Sequence, residues 1–486
     1  MPNRFCQLDH QVLDFSHSIM APVRYHIWTA GCQMNVADSQ RVASALEGLG
    51  YLPTAVAEQA DVVVLNTCVV RQSAEDRAFG RLTSLRPLKE RRPEVVINLM
   101  GCLVGVKGSP QLEAAYPFVD VFSPPSDPQP LIDHLTQADG RSLDKRDTRR
   151  RYAAMDGDLL LPLHERGRLV SAHVPVVHGC SHACTFCIIP FRRGPERSRS
   201  VGQIVAEVRS LAEQGVREVT LLGQIVDRYG MDVPDGPNLS DLLRAVHRVD
   251  GIQRIRFLTS HPNWMSEQLL ETVAELEKVC EHIEVPVQAG DDEVLRQMRR
   301  GYRADDFRRL IDRIRQWLPG ASIATDIIVG FPGESDSQFQ RTYDLLAELE
   351  LDVAHLARYS ARPRTVAARR LTDDVPEQEK MRRFQLLEDL QTGIAERSHR
   401  RLVGRELEVL VEGKRRGRWM GRSRTNKLVF FEAESEFAGQ LVGVKIEHTG
   451  PWSLRGSHLH EPLSPQPAAL RPLAVLNHPI AEVSIQ

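Results

Sequence analysis

Three cysteines fall within one short loop of the sequence. In "VHGCSHACTFC", Cys180, Cys184 and Cys187 follow the spacing C-x3-C-x2-C, and we name them the compact triad. The apolar run "HVPVV" precedes them, so the loop is predicted to follow a strand. Such a loop can hold three thiolates around one iron–sulfur group and leave one iron without a protein ligand. The alternative is a zinc site with His178 or His182 as a more distant fourth ligand.

A second group of three cysteines is spread over the first part of the chain. The predicted strands "YHIWTA", "DVVVLN", "EVVINLM" and "FVDVFS" alternate with helical segments, which is typical of an open parallel α/β sheet. The first three run into Cys32, Cys68 and Cys102, which we name the dispersed triad. A lone cysteine at such a place is usually a small buried residue. Three at the carboxyl ends of parallel strands are expected to meet, with Asn35 and Asn66 either around them or capping helices.

The middle of the chain predicts a barrel. From His173 to about Tyr359 the apolar runs "HVPVV", "EVTLLG", "RIRFLTS", "HIEVPVQ", "ATDIIVGF" and "LDVAHLARY" alternate with amphipathic helices. Six consecutive βα units favour a complete or partial (β/α)6 barrel, with its chemistry at the carboxyl ends of the strands. The compact triad follows the first of these strands. A long helix is predicted from about Glu377 to Arg400.

The last part of the chain predicts a small antiparallel β-barrel. The runs "ELEVLVEG", "GRWMGRS", "NKLVFFEA" and "LVGVKIEHTG" are short strands between Gly-bearing turns. Basic residues are concentrated here, with Trp419 and Phe430 among them, as a nucleic-acid surface requires. The predicted RNA-binding residues are Lys414, Arg415, Arg418, Arg422, Arg424 and Lys427. A solvated strand face is the alternative.

Composition narrows the class of protein. The chain has 486 residues, a net charge of -2 and 42% hydrophobic residues, and it contains no apolar run of the roughly eighteen residues that a membrane span needs. Its N-terminus is too polar for a secretory signal. We therefore expect a cytoplasmic protein without a membrane span. In that compartment its eight cysteines do not predict a disulfide framework.

The compact triad, with aromatic Phe186 before its last cysteine, resembles the signature of radical S-adenosylmethionine enzymes. This resemblance implies that S-adenosylmethionine binds the open iron of a 4Fe-4S cluster and yields a 5′-deoxyadenosyl radical after one-electron reduction. The segments "LLGQ" and "TDIIVGFPGE" are similar to cofactor contacts of that superfamily. The implied cofactor-binding residues are Phe186, Gly223, Gln224, Ile328, Gly330 and Glu334.

Taken with both flanking domains, the chain resembles the methylthiotransferases. The segments "AGCQMNVADS", "NTCVVRQSAEDR" and "RTNKLVFFE" are most similar to the tRNA-2-methylthio-N6-dimethylallyladenosine synthases, the MiaB family. The resemblance implies a second 4Fe-4S cluster on the dispersed triad and makes all six cysteines catalytic. It also implies a C-terminal RNA-binding TRAM domain. One S-adenosylmethionine would donate methyl, and another would supply the radical that attacks C2 of the modified adenosine.

This resemblance divides the chain into six predicted parts. They are an N-terminal extension (1–22), a methylthiotransferase α/β domain (23–140), a linker (141–168), a radical core domain (169–400), a TRAM domain (401–464) and a disordered Pro-rich tail (465–486). The implied partners are the tRNA anticodon stem-loop, an electron donor such as flavodoxin or ferredoxin, and the iron–sulfur assembly machinery. A monomer is expected.

Two kinds of alternative remain open at this stage. The substrate could be a threonylcarbamoyl-adenosine tRNA or a ribosomal protein, or the chain could be a non-catalytic iron–sulfur carrier or RNA-binding regulator. Weaker candidates for the site are the arginines that follow the compact triad, and His261 and Gln288 at predicted strand ends. The sequence departs from the family pattern at Ile225, Ala289, Arg364 and Val366.

Overall fold

The computed structural model describes residues 22–70, 72–138 and 159–459. The N-terminal extension up to residue 21, Cys6, the basic part of the predicted linker and the predicted Pro-rich tail lie outside these residues. Among the helices of the described part, none is long and apolar enough to cross a membrane.

Five parallel strands form the N-terminal sheet. They are β1 (Arg24–Thr29), β2 (Leu52–Pro53), β3 (Val62–Thr67), β4 (Val96–Gly101) and β5 (Val121–Ser123), in the spatial order β2-β1-β3-β4-β5. Helices α1 (Gln33–Gly48), α2 (Gln72–Ser84), α3 (Arg86–Arg91), α4 (Pro110–Ala115) and α5 (Gln129–Ala138) accompany them. Strand β3 is buried at every position because helices cover both faces of a parallel sheet. The predicted open parallel sheet is confirmed, and the two-residue β2 was too short to predict.

The middle domain is a partial barrel. Its strands are β6 (Ser171–Pro175), β7 (Val177–His178), β8 (Arg197–Ser198), β9 (Glu218–Leu222), β10 (Arg254–Leu258), β11 (His282–Glu284), β12 (Ser322–Val329) and β13 (Val353–Arg358). Two parallel three-stranded sheets, β6-β9-β10 and β11-β12-β13, lie side by side. The short antiparallel pair β7 and β8 brackets the compact triad. The six-stranded partial barrel predicted from the sequence is confirmed.

Nine helices occur in the described part of this domain. They are α6 (Ile189–Arg193), α7 (Val201–Glu213), α8 (Leu239–His247), α9 (Glu267–Glu275), α10 (Asp292–Gln297), α11 (Ala304–Trp317), α12 (Asp336–Leu349), α13 (Val366–Arg370) and α14 (Glu377–Arg400). Ser200 and Gln203 begin α7 as a capping box, and Ser335 and Gln338 begin α12 in the same way. These local signals fix where each helix starts.

The C-terminal domain is a closed five-stranded barrel. Its strands are β14 (Glu406–Arg415), β15 (Arg418–Ser423), β16 (Leu428–Glu432), β17 (Leu441–Thr449) and β18 (Leu454–His458), in the order β14-β15-β16-β18-β17. The predicted small barrel is confirmed, with one difference: β16 and β18 pair in parallel. Strand β18 was not predicted. At Gly456 a Cβ atom would lie 2.0 Å from the Lys445 carbonyl oxygen, so this short strand depends on close contact with β17.

Buried arginines attach this barrel to the middle domain. Arg254 is 0% exposed and donates to the Arg422 carbonyl at 2.6 Å and to Glu408, while Arg256 donates to carbonyls of the same β15 end. Arg424 returns an ion pair to Glu281 at 2.7 Å. Arg254 and Arg256 belong to β10, and Glu281 directly precedes β11, so the amino ends of these two strands form the contact with the C-terminal barrel. The C-terminal barrel is therefore fixed at the end of the middle domain opposite the compact triad.

Candidate functional site

The compact triad is held in a tight loop between β7 and α6. Gly179 precedes it with a φ of 71°, and a Cβ atom there would lie 2.1 Å from the Pro195 carbonyl oxygen. The Cys180 amide donates to the Gly194 carbonyl at 3.0 Å, and Thr185 donates to the Met298 carbonyl at 3.1 Å. The loop is thus fixed at both ends, and only glycine fits before the first cysteine.

Replacing Gly179 with alanine is expected to lower the iron bound by the reconstituted chain by about half, because only one of two triads is disturbed. The methyl group would force the loop away from Pro195. Gly202→Ala is a matched control, since nothing lies within 4 Å of a Cβ atom at this position in α7. It should keep full iron content, and equal iron in both variants would contradict the prediction. Iron per chain, measured after anaerobic reconstitution, checks it.

Two polar side chains contact the sulfur of Cys184. His182 Nδ1 lies 3.0 Å from this Sγ, and Arg300 Nη1 donates to it at 3.3 Å. Arg300 is 5% exposed and is held by the Pro286 carbonyl and the Tyr302 hydroxyl. A guanidinium cannot lose its proton here, so it keeps a positive charge beside this sulfur atom. Sequence reasoning missed Arg300, because no motif joins residues 116 positions apart.

Apolar and aromatic side chains enclose the compact triad. Cys180 and Cys187 pack with Ile189, Ile225 and Trp264. The loop lines a cavity of about 350 Å³, to which all three thiols contribute. On one side the rings of His182, His261 and Trp264 lie within 5.4 Å of one another, centroid to centroid. These contacts cover part of the thiol surface: Cys180 is buried, whereas Cys184 and Cys187 stay partly exposed.

His261, a candidate from its position after "FLTS", lies in this aromatic group. It is 1% exposed, and burial lowers its pKa to about 2. Its backbone amide donates to Asp227, whose own pKa burial raises to about 7. Its Nε2 atom is buried and has no partner among the described residues. Neutral His261 therefore offers an unused hydrogen-bonding atom beside the site.

The dispersed triad comes together at the carboxyl ends of β1, β3 and β4. Cys32 is exposed at the start of α1, whereas Cys68 and Cys102 are buried. A Cβ atom on Gly31 would lie 2.8 Å from Cys68 Cβ, which shows how closely the first two loops approach. The Cys102 amide donates to the Thr67 carbonyl at 2.9 Å. The predicted convergence of these loops is present.

Two buried asparagines join the loops of the dispersed triad. Asn35 Oδ1 accepts from the Cys32 thiol at 3.4 Å, and its Nδ2 donates to Asn66 Oδ1 at 2.9 Å. Asn66 Nδ2 returns a bond to the Asn35 carbonyl at 2.8 Å. Both amides are 0% exposed and hydrogen bonded, as buried polar groups require. Asn35 also forms a capping box with Cys32 at the start of α1, so the helix-capping alternative holds for it.

Helix α6 joins the two triads. It begins two residues after Cys187 and ends at Arg193, whose Nε donates to Cys102 Sγ at 3.3 Å. Arg192 donates to the Leu103 carbonyl at 3.2 Å, and its own carbonyl accepts from the Val106 amide. Arg199 pairs with Glu207 at 2.5 Å. Of the arginines that follow the compact triad, these three therefore bind protein groups.

Each triad offers three thiols from converging or adjacent backbone segments, which is the kind of ligand that an iron–sulfur cluster uses. No group of three His, Cys, Asp or Glu side chains within the described ranges is arranged to hold one metal ion. A cluster is wider than an ion, so its thiolates lie farther apart. Burial raises the pKa of the thiols of Cys102 to about 11 and of Cys187 to about 12. A cluster supplies the positive charge that such buried thiolates need.

The implied cofactor residues lie at several strand ends of the barrel. Gly223 and Gln224 follow β9, and a Cβ atom on Gly223 would lie 3.3 Å from Val177 in β7. Phe186 and Ile328 are partly buried against the barrel core. Gly330 follows β12. All of these positions share the end of the barrel that carries the compact triad.

Glu334 fixes the turn after β12. Its Oε2 accepts from the Gly330 amide at 2.7 Å and from Arg383 at 2.9 Å. Its Oε1 is buried and has no partner in the described part of the chain. Nearby Gln288 has a φ of 74° and likewise a buried, unpartnered Oε1. These two oxygens can accept hydrogen bonds from a ligand.

Two of the four departures from the family pattern have a local structural account. Ile225 packs against Cys180, and Ala289 is 0% exposed in the barrel core, where a small side chain fits. Arg364 has a φ of 78°, a conformation that glycine adopts far more readily than arginine, and nothing in the structure explains the arginine. Val366 is the first residue of α13, a position that also suits proline. Nothing in the structure explains why valine stands there.

Several predicted RNA-binding residues are engaged within the chain. Arg424 pairs with Glu281, and Lys427 pairs with Asp352 at 2.7 Å, both across the contact with the middle domain. Trp419 is 2% exposed in the barrel core, so the expectation that it helps form a nucleic-acid surface is wrong. The hairpin tip of β14 and β15 remains exposed. It carries Lys414, Arg415 and Arg418.

Comparison with known proteins places each domain. Residues 174–346 match the Radical SAM superfamily, residues 24–123 match the Uncharacterized protein family UPF0004, and residues 400–459 match the TRAM domain. The radical S-adenosylmethionine methyltransferase TsrM from Kitasatospora setae has a similar fold. Its structure with a S-adenosylmethionine analog gives a TM-score of 0.52 at 15% identity, over 71% of this chain and 75% of that one.

Two curated relatives cover nearly the whole chain. A tRNA-2-methylthio-N(6)-dimethylallyladenosine synthase from Herpetosiphon aurantiacus is 44% identical over 444 residues, which is 91% of this chain and 98% of the relative. The enzyme of the same name from Roseiflexus sp. is 45% identical over 436 residues, 89% of each chain.

A partial barrel with this cysteine loop, matched by the superfamily, makes the chain a radical S-adenosylmethionine enzyme. Such enzymes use S-adenosylmethionine and 4Fe-4S clusters, so the predicted cofactors are confirmed. The chain belongs to the family of tRNA-2-methylthio-N6-dimethylallyladenosine synthases. The family inferred from the sequence is therefore confirmed.

Proposed function

We propose that this chain adds a methylthio group to C2 of N6-(dimethylallyl)adenosine next to the anticodon in tRNA. The observation that carries the proposal is the pair of three-cysteine groups joined by α6. The dispersed triad lies at the carboxyl ends of β1, β3 and β4, the compact triad lies between β7 and α6, and Arg193 at the end of α6 contacts Cys102. The names of the curated relatives support the same reaction and substrate.

In this proposal the two triads hold separate 4Fe-4S clusters. The compact triad binds the cluster that takes S-adenosylmethionine, and the dispersed triad binds the cluster that carries sulfur. When bound, these groups supply a 5′-deoxyadenosyl radical from one S-adenosylmethionine and a methyl group from another. A carbon radical is needed because acid–base groups cannot break the unreactive C2–H bond.

The protein side chains position the reactants and keep water out. Ile189, Ile225 and Trp264 cover the compact triad with apolar surface. We assign the methionyl part of S-adenosylmethionine to Gly223 and Gln224, and its adenine to Ile328, Gly330 and Glu334. Phe186 supports the loop from the barrel core. The unpartnered Glu334 Oε1 provides an acceptor for a donor group of the ligand.

The exposed tip of the β14–β15 hairpin is assigned to RNA. Arg416 and Gly417 form its two-residue turn, with φ values of 52° and 82°, and Arg415 pairs with Arg418 beside it. Lys414 and Arg418 form exposed ion pairs with Glu436 and Glu432, and the Lys414 ammonium also lies 4.2 Å from the centroid of the Trp419 ring. Such pairs are weak and yield readily to phosphate. Arg422 extends this surface along β15.

Replacing the three hairpin cations with alanine (K414A/R415A/R418A) is expected to lower the salt dependence of tRNA binding. Each lost phosphate contact removes 0.7–0.9 from the slope of log K against log salt, so the slope should fall by about 2 to 3. A matched triple variant, R405A/K445A/R455A, removes exposed cations from elsewhere in the same barrel. Filter binding at several salt concentrations compares the two. Equal slopes would exclude the hairpin as a phosphate contact.

The partners in this proposal follow from its chemistry. The substrate segment is the anticodon stem-loop, an external donor such as flavodoxin or ferredoxin supplies electrons, and the assembly machinery supplies the clusters. We place the reaction in the cytoplasm, with the protein acting as a monomer. Analytical ultracentrifugation with and without tRNA tests the last point.

Product analysis tests the function. Digested tRNA from a strain without this protein should lack the 2-methylthio derivative of dimethylallyladenosine, and the gene in trans should restore it. Persistence of that nucleoside with loss of methylthiolated threonylcarbamoyl-adenosine, or of a modified ribosomal protein, would assign a different substrate. A non-catalytic carrier would yield no 5′-deoxyadenosine when the reconstituted chain is reduced with S-adenosylmethionine.

A further inference from the structure

Arg193 belongs to the barrel domain by sequence but to the dispersed triad by contact. Its guanidinium donates to Cys102 Sγ at 3.3 Å through Nε, to Ser126 Oγ at 3.2 Å through Nη1 and to Asp38 Oδ2 at 3.3 Å through Nη2. Cys102 lies 91 positions away in the sequence. All three partners come from the N-terminal domain, so this one side chain crosses the domain boundary.

The burial of this group is nearly complete. The side chains of Arg193 and Asp38 are 3% and 0% exposed. Removing a guanidinium from water is costly unless charge and hydrogen bonds compensate. Asp38 provides one negative charge, but its Oδ1 is buried and has no partner among the described residues. As a cluster ligand Cys102 would be a thiolate, and its Sγ, 3.3 Å from Arg193 Nε, would then provide the second negative charge.

The backbone fixes where the guanidinium lies. The Val106 amide donates to the Arg192 carbonyl at 2.9 Å, and Arg192 Nη1 donates to the Leu103 carbonyl at 3.2 Å. The loop after Cys102 is therefore docked on the end of α6. The Arg192 guanidinium bonds to a carbonyl oxygen, whereas the Arg193 guanidinium bonds to a sulfur atom as well as to two oxygen atoms.

The compact triad has the same kind of contact. Arg300, also buried, donates to Cys184 Sγ at 3.3 Å. Each triad thus has one thiol beside a buried guanidinium from a distant part of the chain. A hydrogen bond or a positive charge at a cysteine ligand stabilises the more negative, reduced state of an iron–sulfur cluster.

We propose that Arg193 is a positioning residue of the cluster on the dispersed triad, holding Cys102 as a ligand and raising the reduction potential of that cluster. The inference rests on the proposed function in one respect, that the dispersed triad binds a cluster. It assigns to the barrel domain a direct influence on the chemistry of the N-terminal domain.

The test uses the full chain with the compact triad removed (C180A/C184A/C187A), so that only one cluster is present. Iron per chain and the electron paramagnetic resonance signal are measured during a titration with dithionite and mediators. Dithionite supplies one electron to the cluster, and no proton or group is transferred. Arg193→Gln in this background should lower the ratio of reduced to oxidised cluster at a fixed potential about tenfold, which is 59 mV for one electron.

Two further variants distinguish charge from shape. Arg193→Lys keeps the charge and should restore most of the ratio, whereas Arg192→Gln removes a neighbouring charge that does not touch sulfur and should change the ratio much less. If Arg193→Gln binds no iron and Arg193→Lys does, the proposal is also supported. An unchanged ratio in Arg193→Gln overturns it, as does equal loss of iron from the Gln and Lys variants. A parent chain that binds no cluster overturns both this inference and the assignment of the dispersed triad.

Discussion

Replacing Cys187 with alanine is expected to reduce both 5′-deoxyadenosine formation and tRNA methylthiolation to background. The compact triad would keep only two thiol ligands, and no side chain can replace the chemistry of the cofactor. The dispersed triad should keep its iron because its contacts do not involve this thiol. Anaerobic assays of the reconstituted chain with dithionite, S-adenosylmethionine and tRNA measure both products.

Cys280→Ala is the matched control for this experiment. Cys280 is also a buried cysteine of the barrel domain, at 1% exposure, but its amide bonds to the Ile255 carbonyl at the amino end of the strands. The variant loses the same atoms without touching either triad, so it should keep both activities. If the two alanine variants produced 5′-deoxyadenosine at the same rate, the compact triad would not be the site of cleavage.

Cys32→Ala is expected to separate the two activities. Methylthiolation should fall to background, while most of the 5′-deoxyadenosine formation should remain. Cys32 is exposed at the start of α1, so its loss disturbs little of the folded core. Cys32 belongs to the dispersed triad, which shares no residue with the compact triad. Both products are measured in one anaerobic reaction.

Val36→Ala provides the comparison for Cys32. Val36 is 40% exposed in the first turn of the same helix, and its amide donates to the Cys32 carbonyl. The change removes a surface side chain without removing a thiol, and both activities should persist. Equal loss of both products in Cys32→Ala would contradict a division of labour between the triads.

Most of the architecture could be predicted because it depends on local patterns. Short apolar runs, which are typical of buried parallel strands, located the strands of the sheet and of the barrel. The predicted helix 377–400 has the bounds found in the structure. Elements without such a pattern were missed. Strand β18 contains Gly456 and three polar or charged residues, and it is formed by pairing with β16 and β17.

Site residues could be proposed from the sequence where the chemistry of a side chain and its position after a predicted strand indicated the same role. Six cysteines could be assigned because each follows a predicted strand or shares a short motif. The sequence did not show which basic residues of the C-terminal barrel stay free to bind RNA. A lysine that binds RNA and a lysine that pairs with a carboxylate, as Lys427 pairs with Asp352, look the same in the sequence. Which cations stay exposed depends on how two domains pack.

The sequence alone determined the strand and helix pattern and the two cysteine triads, because periodicity and spacing are properties of neighbouring residues. Only the tertiary structure decided which charges meet the sulfur atoms. Arg193 reaches Cys102 and Arg300 reaches Cys184 across 91 and 116 positions. A buried guanidinium has lost its contacts with water. Protein groups that the fold brings close must therefore supply its hydrogen bonds and a compensating negative charge. Those contacts follow from domain packing, which local sequence does not encode.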